Sequence, residues 1–329
     1  MIESKQAINM IRKDFAQIAI DAVDLGNLKY SFCYPLDQAK EVIEYKGQWA
    51  YPPILVTKQP SGYWVIDGMN RIRHLASRGE TCIEGFIIKS QSPLDVLTEG
   101  ILYARTYKSL NLIEKASILH KLIHSFQVDE SVVINHYLPL LLDNPSHKRF
   151  KLLMKLNDLS HEMKNHIIRE NTPLNLSYDL SQYSLGDQAI LYSWIKKLKL
   201  GVNRLKFFIE SLNFLCKRDQ KSVENILNND IFVAYLSSET KHNILEKNFI
   251  NDLYTLRYPA YKEHLEQVQK VIRTFKLPPR WKINVAKNME GEGFHIDFHI
   301  RNQEEYPLAL EKLETIYKNQ GIEQLFTYL

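Results

Sequence analysis

The chain is poor in cysteine. Of its 329 residues only three are cysteines, Cys33, Cys82 and Cys216, an odd and widely spaced set. None stands in a CxxC or comparable metal-ligand spacing, which excludes a disulfide-stapled scaffold and points to a reducing compartment. An excess of one charge is lacking too, since 42 basic against 38 acidic residues leave a net +4. Such a balance permits a polyanionic partner without demanding one, because clustering of cations on one surface decides the matter. No stretch approaches the roughly 18 uninterrupted apolar residues of a membrane span. The opening MIESKQAINMIRKDFAQIAIDAV, read as helical turns bearing both charge signs, has no signal-peptide core. The expectation is a soluble cytoplasmic protein without a membrane partner. GxSxG, HExxH, a Walker lysine and paired carboxylates at a telling spacing are all missing, so no catalytic residue is assigned.

What is present describes an ordinary globular chain, 45% hydrophobic and 24% charged, and its length suggests two domains or three. From Pro53 to Ile88 the pattern is that of a compact α/β unit. PILV is a short apolar run, QPSG a turn, YWVID a second β-rich run that stops at Gly68, NRIRHLASRG a helix with Gly79 at its C′ position, and CIEGFII a third strand. After about residue 100 the glycines thin out and helical periodicities take over. Asn111 followed by Glu114 resembles a capping box, and helices are expected at Glu130–Leu141, Ser146–Leu156, His161–Arg169, Leu176–Tyr183, Asp187–Leu198 and Val202–Cys216. Residues 217–262 read as a helical connector. WKINV and FHIDFHI then read as strands, and PLALEKLETIYK as an amphipathic helix.

Two segments carry chemistry. A strand that ends at Gly68 and passes directly into a helix leaves amides at the positive end of a helix dipole, where phosphate groups bind well. Gly68, Met69, Asn70, Arg71 and Arg73 are therefore the candidate nucleotide or phosphate site, against the alternative of a plain strand-to-helix turn with solvated arginines. Asp67 is read as a helix cap or as a group that positions a metal or hydroxyl. In DESVVINHYLPLLLDNPSHKRFKLLMKL, a helix, a turn and a second helix follow in the order of a helix-turn-helix. Asn144 is expected to cap the second helix, with Pro145 at its first position. Ser146, His147, Lys148, Arg149 and Lys151 then form a polar, basic leading edge and the candidate contact to duplex DNA, while Phe150, Leu153, Met154 and Leu156 face the core. The alternative is a solvated charged face. In FHIDFHI, His295, Asp297 and His299 share one strand face; they read as solvated side chains, and no metal site is assigned.

The stretch PPILVTKQPSGYWVIDGMNRIRHLASRGETCIEGFII resembles the N-terminal domain of the ParB and sulfiredoxin superfamily. RTYKSLNLIEKASILHKLIHSF and LLMKLNDLSHEMKNHIIRENTPLNLSYDLSQYS are similar to the helical DNA-binding domain of ParB partition proteins. The resemblance implies an α+β, multidomain chain: a ParB/sulfiredoxin-like α/β domain over 1–100, a helical domain with a helix-turn-helix over 101–220, a helical connector over 221–262, and an αββα oligomerisation module over 263–329. It also implies double-stranded DNA as partner, a homodimer, a partition ATPase, and CTP or another nucleotide with Mg as cofactor. ParB proteins that bind CTP carry a glutamate and two arginines after the turn glycine, where this chain has Met69, Asn70 and Arg71. Tyr103, Ala104 and Tyr107 stand at the glutamate, asparagine and arginine of their second nucleotide motif. Whether the chain is a CTPase-like hydrolase is left open. Sulfiredoxin activity is rejected, since the turn holds no cysteine. The expected function is ParB-like DNA binding in partition or transcription regulation, nucleotide-gated. A nucleotide-dependent small-molecule kinase or hydrolase, and a regulatory adaptor with a decayed nucleotide pocket, are the alternatives.

Overall fold

The computed structural model describes residues 13–34, 52–90, 92–278, 280–285, 293–318 and 321–328. Its contacts group into two compact units, Met1–Ile209 and Glu210–Leu329.

The first unit opens with a five-stranded mixed sheet of order β1-β5-β3-β4-β2, made of β1 (Lys13–Ala19), β2 (Val23–Asp24), β3 (Ile54–Gln59), β4 (Gly62–Asp67) and β5 (Cys82–Ile88). β3 and β4 are the expected hairpin, with Gln59 opposite Gly62 across the turn. β3 lies at the centre, where Ile54, Leu55, Val56 and Thr57 are all buried, so it reads as a continuous apolar run instead of an alternating one. Helix α1 (Met69–Ser77) follows Gly68. It ends as the glycine signal predicts: the Gly79 N–H bonds the Ala76 carbonyl at 3.0 Å and the Glu80 N–H bonds the Leu75 carbonyl at 3.1 Å. Ile18, Ile20, Val23, Ile54, Val56, Val65, Met69 and Ile72 form the core between this helix and the sheet.

One element corrects the sequence reading. The opening segment, expected as helical turns, is a strand over Lys13–Ala19 that pairs antiparallel with β5, Ala16 facing Gly85. Its burial alternates, with Asp14, Ala16 and Ile18 turned inward more than their neighbours, which is the period of a strand. A partner almost 70 positions along the chain decides this, and no local signal shows it.

Helices make up the rest of the unit. α2 (Pro93–Arg105) is capped by Ser92 and carries Pro93 in its first turn. α3 (Leu112–His120) begins with the full capping box of Asn111 and Glu114 and runs on as a π-helical turn to Ser125. The run expected as one helix over Glu130–Leu141 is α4 (Glu130–Val132), a π turn (Val133–Tyr137) and α5 (Leu138–Leu141). α6 (His147–Lys155), α7 (His161–Arg169), α8 (Leu174–Ser181), α9 (Leu185–Leu198) and α10 (Val202–Asp219) follow. α6 packs on α3 and α8. Its cap is Ser146, whose Oγ accepts the Arg149 N–H at 3.2 Å, so the expected roles of Asn144 as cap and Pro145 as first helical residue do not hold. The extended backbone of Ser146 places the hydroxyl where the third helical amide needs an acceptor.

The second unit contains α11 (Val223–Leu227), α12 (Asp230–Ser237), α13 (His242–Arg257) and α14 (Pro259–Thr274). It continues with a hairpin of β6 (Lys282–Val285) and β7 (Phe294–Asp297), then α15 (Glu305–Lys318) and α16 (Gly321–Phe326). Val268, Val271, Phe275, Ile283, Ile316 and Leu325 are its core. The strand expected across FHIDFHI stops at Asp297, so His299 lies outside it.

Candidate functional site

The geometry at the end of β4 follows from one glycine. Gly68 sits at φ 101°, ψ 13°, a left-handed conformation that L side chains rarely adopt, and a Cβ there would stand 2.6 Å from Ile54 Cγ2. The chain can therefore turn sharply off the sheet only with a bare backbone, and the turn aims Asp67 inward instead of at solvent. Asp67 is fully buried. Its carboxylate gathers partners from three other places in the sequence. Arg71 Nη2, one helical turn on, lies 3.1 Å from Oδ2. The Tyr107 phenol donates to the same oxygen. The Cys33 thiol donates to Oδ1 at 3.3 Å, and Lys108 Nζ stands 3.9 Å from it. Lys108 in turn donates to Glu114 Oε1 at 2.8 Å.

Two carboxylates, Asp67 and Glu114, thus face two cations, Arg71 and Lys108, largely out of water, and a buried charge persists only when so compensated. The surroundings shift the neutral members strongly. Burial, with the Asp67 and Glu114 charges nearby, pushes the Cys33 thiol up to about 12, while Lys108 and the Gly68 backbone N–H at the sulfur pull it back. Burial and then the Asp67 charge keep the Tyr107 phenol protonated well above the ordinary range. Burial works against the Lys108 ammonium, yet Cys33, Glu114 and Asp67 outweigh it and hold its pKa above that of ordinary lysine. Aromatic rings wall the cluster: the Arg71 guanidinium stands 5.8 Å from the Tyr107 ring, Lys108 Nζ 5.9 Å from Phe32, and Tyr103 packs edge-on to Tyr107 at 5.7 Å.

The candidate phosphate residues are distributed accordingly. Gly68 forms the turn and is itself buried. The Met69 side chain is in the hydrophobic core. Asn70 and Arg73 are half-buried on α1, and Arg71 faces Asp67. Cys33, Lys108 and Glu114 did not stand out as members of this site. Asp67 and Arg71 show the i, i+4 spacing of a helical ion pair, and that was the readable trace of it.

The second candidate region is the start of α6. Lys148, Arg149 and Lys151 are exposed, whereas Phe150, Leu153 and the following Leu156 are buried. Lys148, Lys151 and Lys155 recur at three and four residues along one face. Arg149 Nη1 donates to the Asn144 carbonyl at 3.1 Å, and His147 Nε2 lies 3.2 Å from Glu130 Oε1, which ties α6 to the start of the preceding helical run. Ser146, His147, Lys148, Arg149 and Lys151 are therefore brought together at one helix end with an apolar back. Among the described residues no group of three or more His, Cys, Asp or Glu side chains could hold a metal ion, and no helix is long and apolar enough to cross a membrane.

No protein-family model and no curated protein matches the chain. Among solved structures it is similar to the C-terminally truncated chromosome-partitioning protein ParB from Caulobacter crescentus complexed to the centromeric parS site. That likeness has 17% identity over 59% of this chain and 98% of that one, with a TM-score of 0.30. It is also similar to the same Caulobacter protein complexed with CTP-gamma-S, at 16% identity over 55% of this chain and 98% of that one, with a TM-score of 0.20.

Proposed function

We propose that this chain is a ParB-like protein that binds duplex DNA through α6, with DNA binding gated by a nucleotide at the Gly68–Arg71 turn. The observation that carries the reading is the exposed cationic edge of Lys148, Arg149 and Lys151 on a helix whose other side is buried. A rigid, apolar-backed helix with a polar, basic N-terminal end is what entry into a major groove requires. Lys148 and Lys151 would supply phosphate contacts, and the Arg149 fork would supply base reading. The run from Glu130 to Leu141 would serve as the first helix of a helix-turn-helix and α6 as the second. CTP with Mg is the cofactor this reading favours, and roles in partition or transcription regulation, a partner ATPase and a cytoplasmic location follow from the sequence resemblance.

A homodimer completes the proposal, since two recognition helices multiply affinity. On α15, Tyr306, Leu310 and Tyr317 are exposed and Leu313 is half-buried, while Ala309 and Ile316 face the core. Positions 306, 310, 313 and 317 alternate by four and three, the spacing of a coiled-coil seam, and a second copy of the same helix is the self-complementary occupant.

The kinase alternative needs Asp67 or Arg71 to meet a substrate, but both are engaged with each other and Asp67 is fully buried. The test of the main reading is fluorescence anisotropy on labelled duplexes across a salt series. Binding should weaken with salt, and the Lys148→Ala/Arg149→Ala variant should lose affinity and reduce the log–log salt slope by about 2, one unit per lost phosphate contact. Salt-insensitive binding, or none to any duplex, defeats the proposal.

A further inference from the structure

We infer that the glycine turn is a phosphate site kept filled by the protein's own carboxylate, Asp67 standing where a terminal phosphoryl group would otherwise engage Arg71. The inference rests on the nucleotide reading above and states how that site is regulated.

Each feature that would recruit a phosphate is already taken up within the chain. The Arg71 guanidinium folds back over the turn, so that its Nη2 lies 3.0 Å from where a Gly68 Cβ would be, and it covers the bare backbone that a phosphate would approach. Its charge is answered by Asp67 Oδ2 at 3.1 Å, and the Tyr107 phenol closes on the same oxygen. The Gly68 backbone N–H points at the Cys33 sulfur. Lys108, the other cation, has its short contact with Glu114 at 2.8 Å and stands farther from Asp67, at 3.9 Å. Asp67 is therefore chiefly the counter-charge of Arg71. An incoming phosphoryl group must draw Arg71 away and then sit beside a buried carboxylate, and like charges in so dry a place repel strongly.

Removing that one negative charge reverses the situation. With Asp67→Asn the cluster keeps its shape but holds two cations against one carboxylate. A buried cation without its partner is unstable, so the site gains free energy by taking an external anion.

The test is calorimetric titration of the full chain with CTP and Mg²⁺, in the wild type, in Asp67→Asn and in Asp67→Asn/Arg71→Gln. The wild type should bind weakly, Asp67→Asn at least tenfold more tightly, and the double variant should lose the gain. If Asp67→Asn is unfolded alone, millimolar CTP should restore its helical circular dichroism, because a ligand that binds only the folded state stabilises it; failure of that rescue overturns the inference. Equal affinity in the wild type and Asp67→Asn overturns it while leaving the nucleotide reading in place. Absence of binding in both folded proteins removes nucleotide gating as well, and duplex binding by anisotropy reports separately on the DNA-binding reading.

Discussion

The Lys108 ammonium lies 2.8 Å from Glu114 Oε1, while the other oxygen of that carboxylate accepts the Asn111 backbone N–H at 3.0 Å. One side chain thus closes the capping box of α3 and neutralises a cation of the Asp67 cluster. The start of the helical segment and the end of the sheet are tied through it. Glu114→Ala removes the cap and leaves Lys108 short of a counter-charge, and should destabilise the protein by about 3 kcal/mol. Glu114→Gln keeps a capping side chain and should cost roughly half as much. Urea unfolding of the two variants gives the comparison, and equal losses would show that the charge contributes nothing.

Gly68 should tolerate substitution far less than Gly79. Both have positive φ, but a Cβ at Gly68 runs into Ile54 whereas nothing lies within 4 Å of the corresponding position at Gly79. Gly79→Ala should cost about 1 kcal/mol of backbone strain, and Gly68→Ala about 3 kcal/mol because the clash adds to the strain. Thermal melts that rank the two variants the other way would contradict the packing described around Ile54.

The thiols should separate by pH. Cys82 is exposed, whereas Cys33 is partly buried with a thiol pushed up to about 12. At pH 8 iodoacetamide should alkylate Cys82 readily and leave Cys33 unreacted, since only the thiolate attacks. A raised acid pKa favours the folded state while the thiol is neutral. Its contribution is whole below the unfolded value of 9.0 and fades as pH climbs toward about 12. Cys33→Ala should flatten that alkaline decline in urea stability measured from pH 8 to 11, and an unchanged profile would show that the thiol is not the group responsible.

Leu310→Asp on α15 should convert a dimer into a monomer without loss of helix content. Leu310 is exposed on the outer stripe, so the substitution leaves the Ala309 and Ile316 face untouched. Light scattering after size exclusion measures the mass directly. A wild type that is monomeric at high micromolar concentration removes the proposed seam.

Local chemistry made much of this protein readable from its residues alone. Pro60 and Gly62 set the hairpin of β3 and β4, Gly79 stops α1, and Asn111 with Glu114 starts α3, because turns and caps are satisfied by neighbours a few positions away. His161–Arg169 is helical over the very range its apolar spacing indicates, and the cationic edge at Lys148–Lys151 was visible as charges in front of an apolar periodicity. Tertiary structure decided the rest. Lys13–Ala19 became a strand because β5 offers it a pairing edge, and Asp67 became the centre of a cluster because Cys33, Tyr107 and Lys108 reach it from remote segments. An arginine four residues after an aspartate can equally face water or fold inward. Burial settles which, since a charge removed from solvent must find its opposite within the fold, and no single segment contains the information about what will surround it.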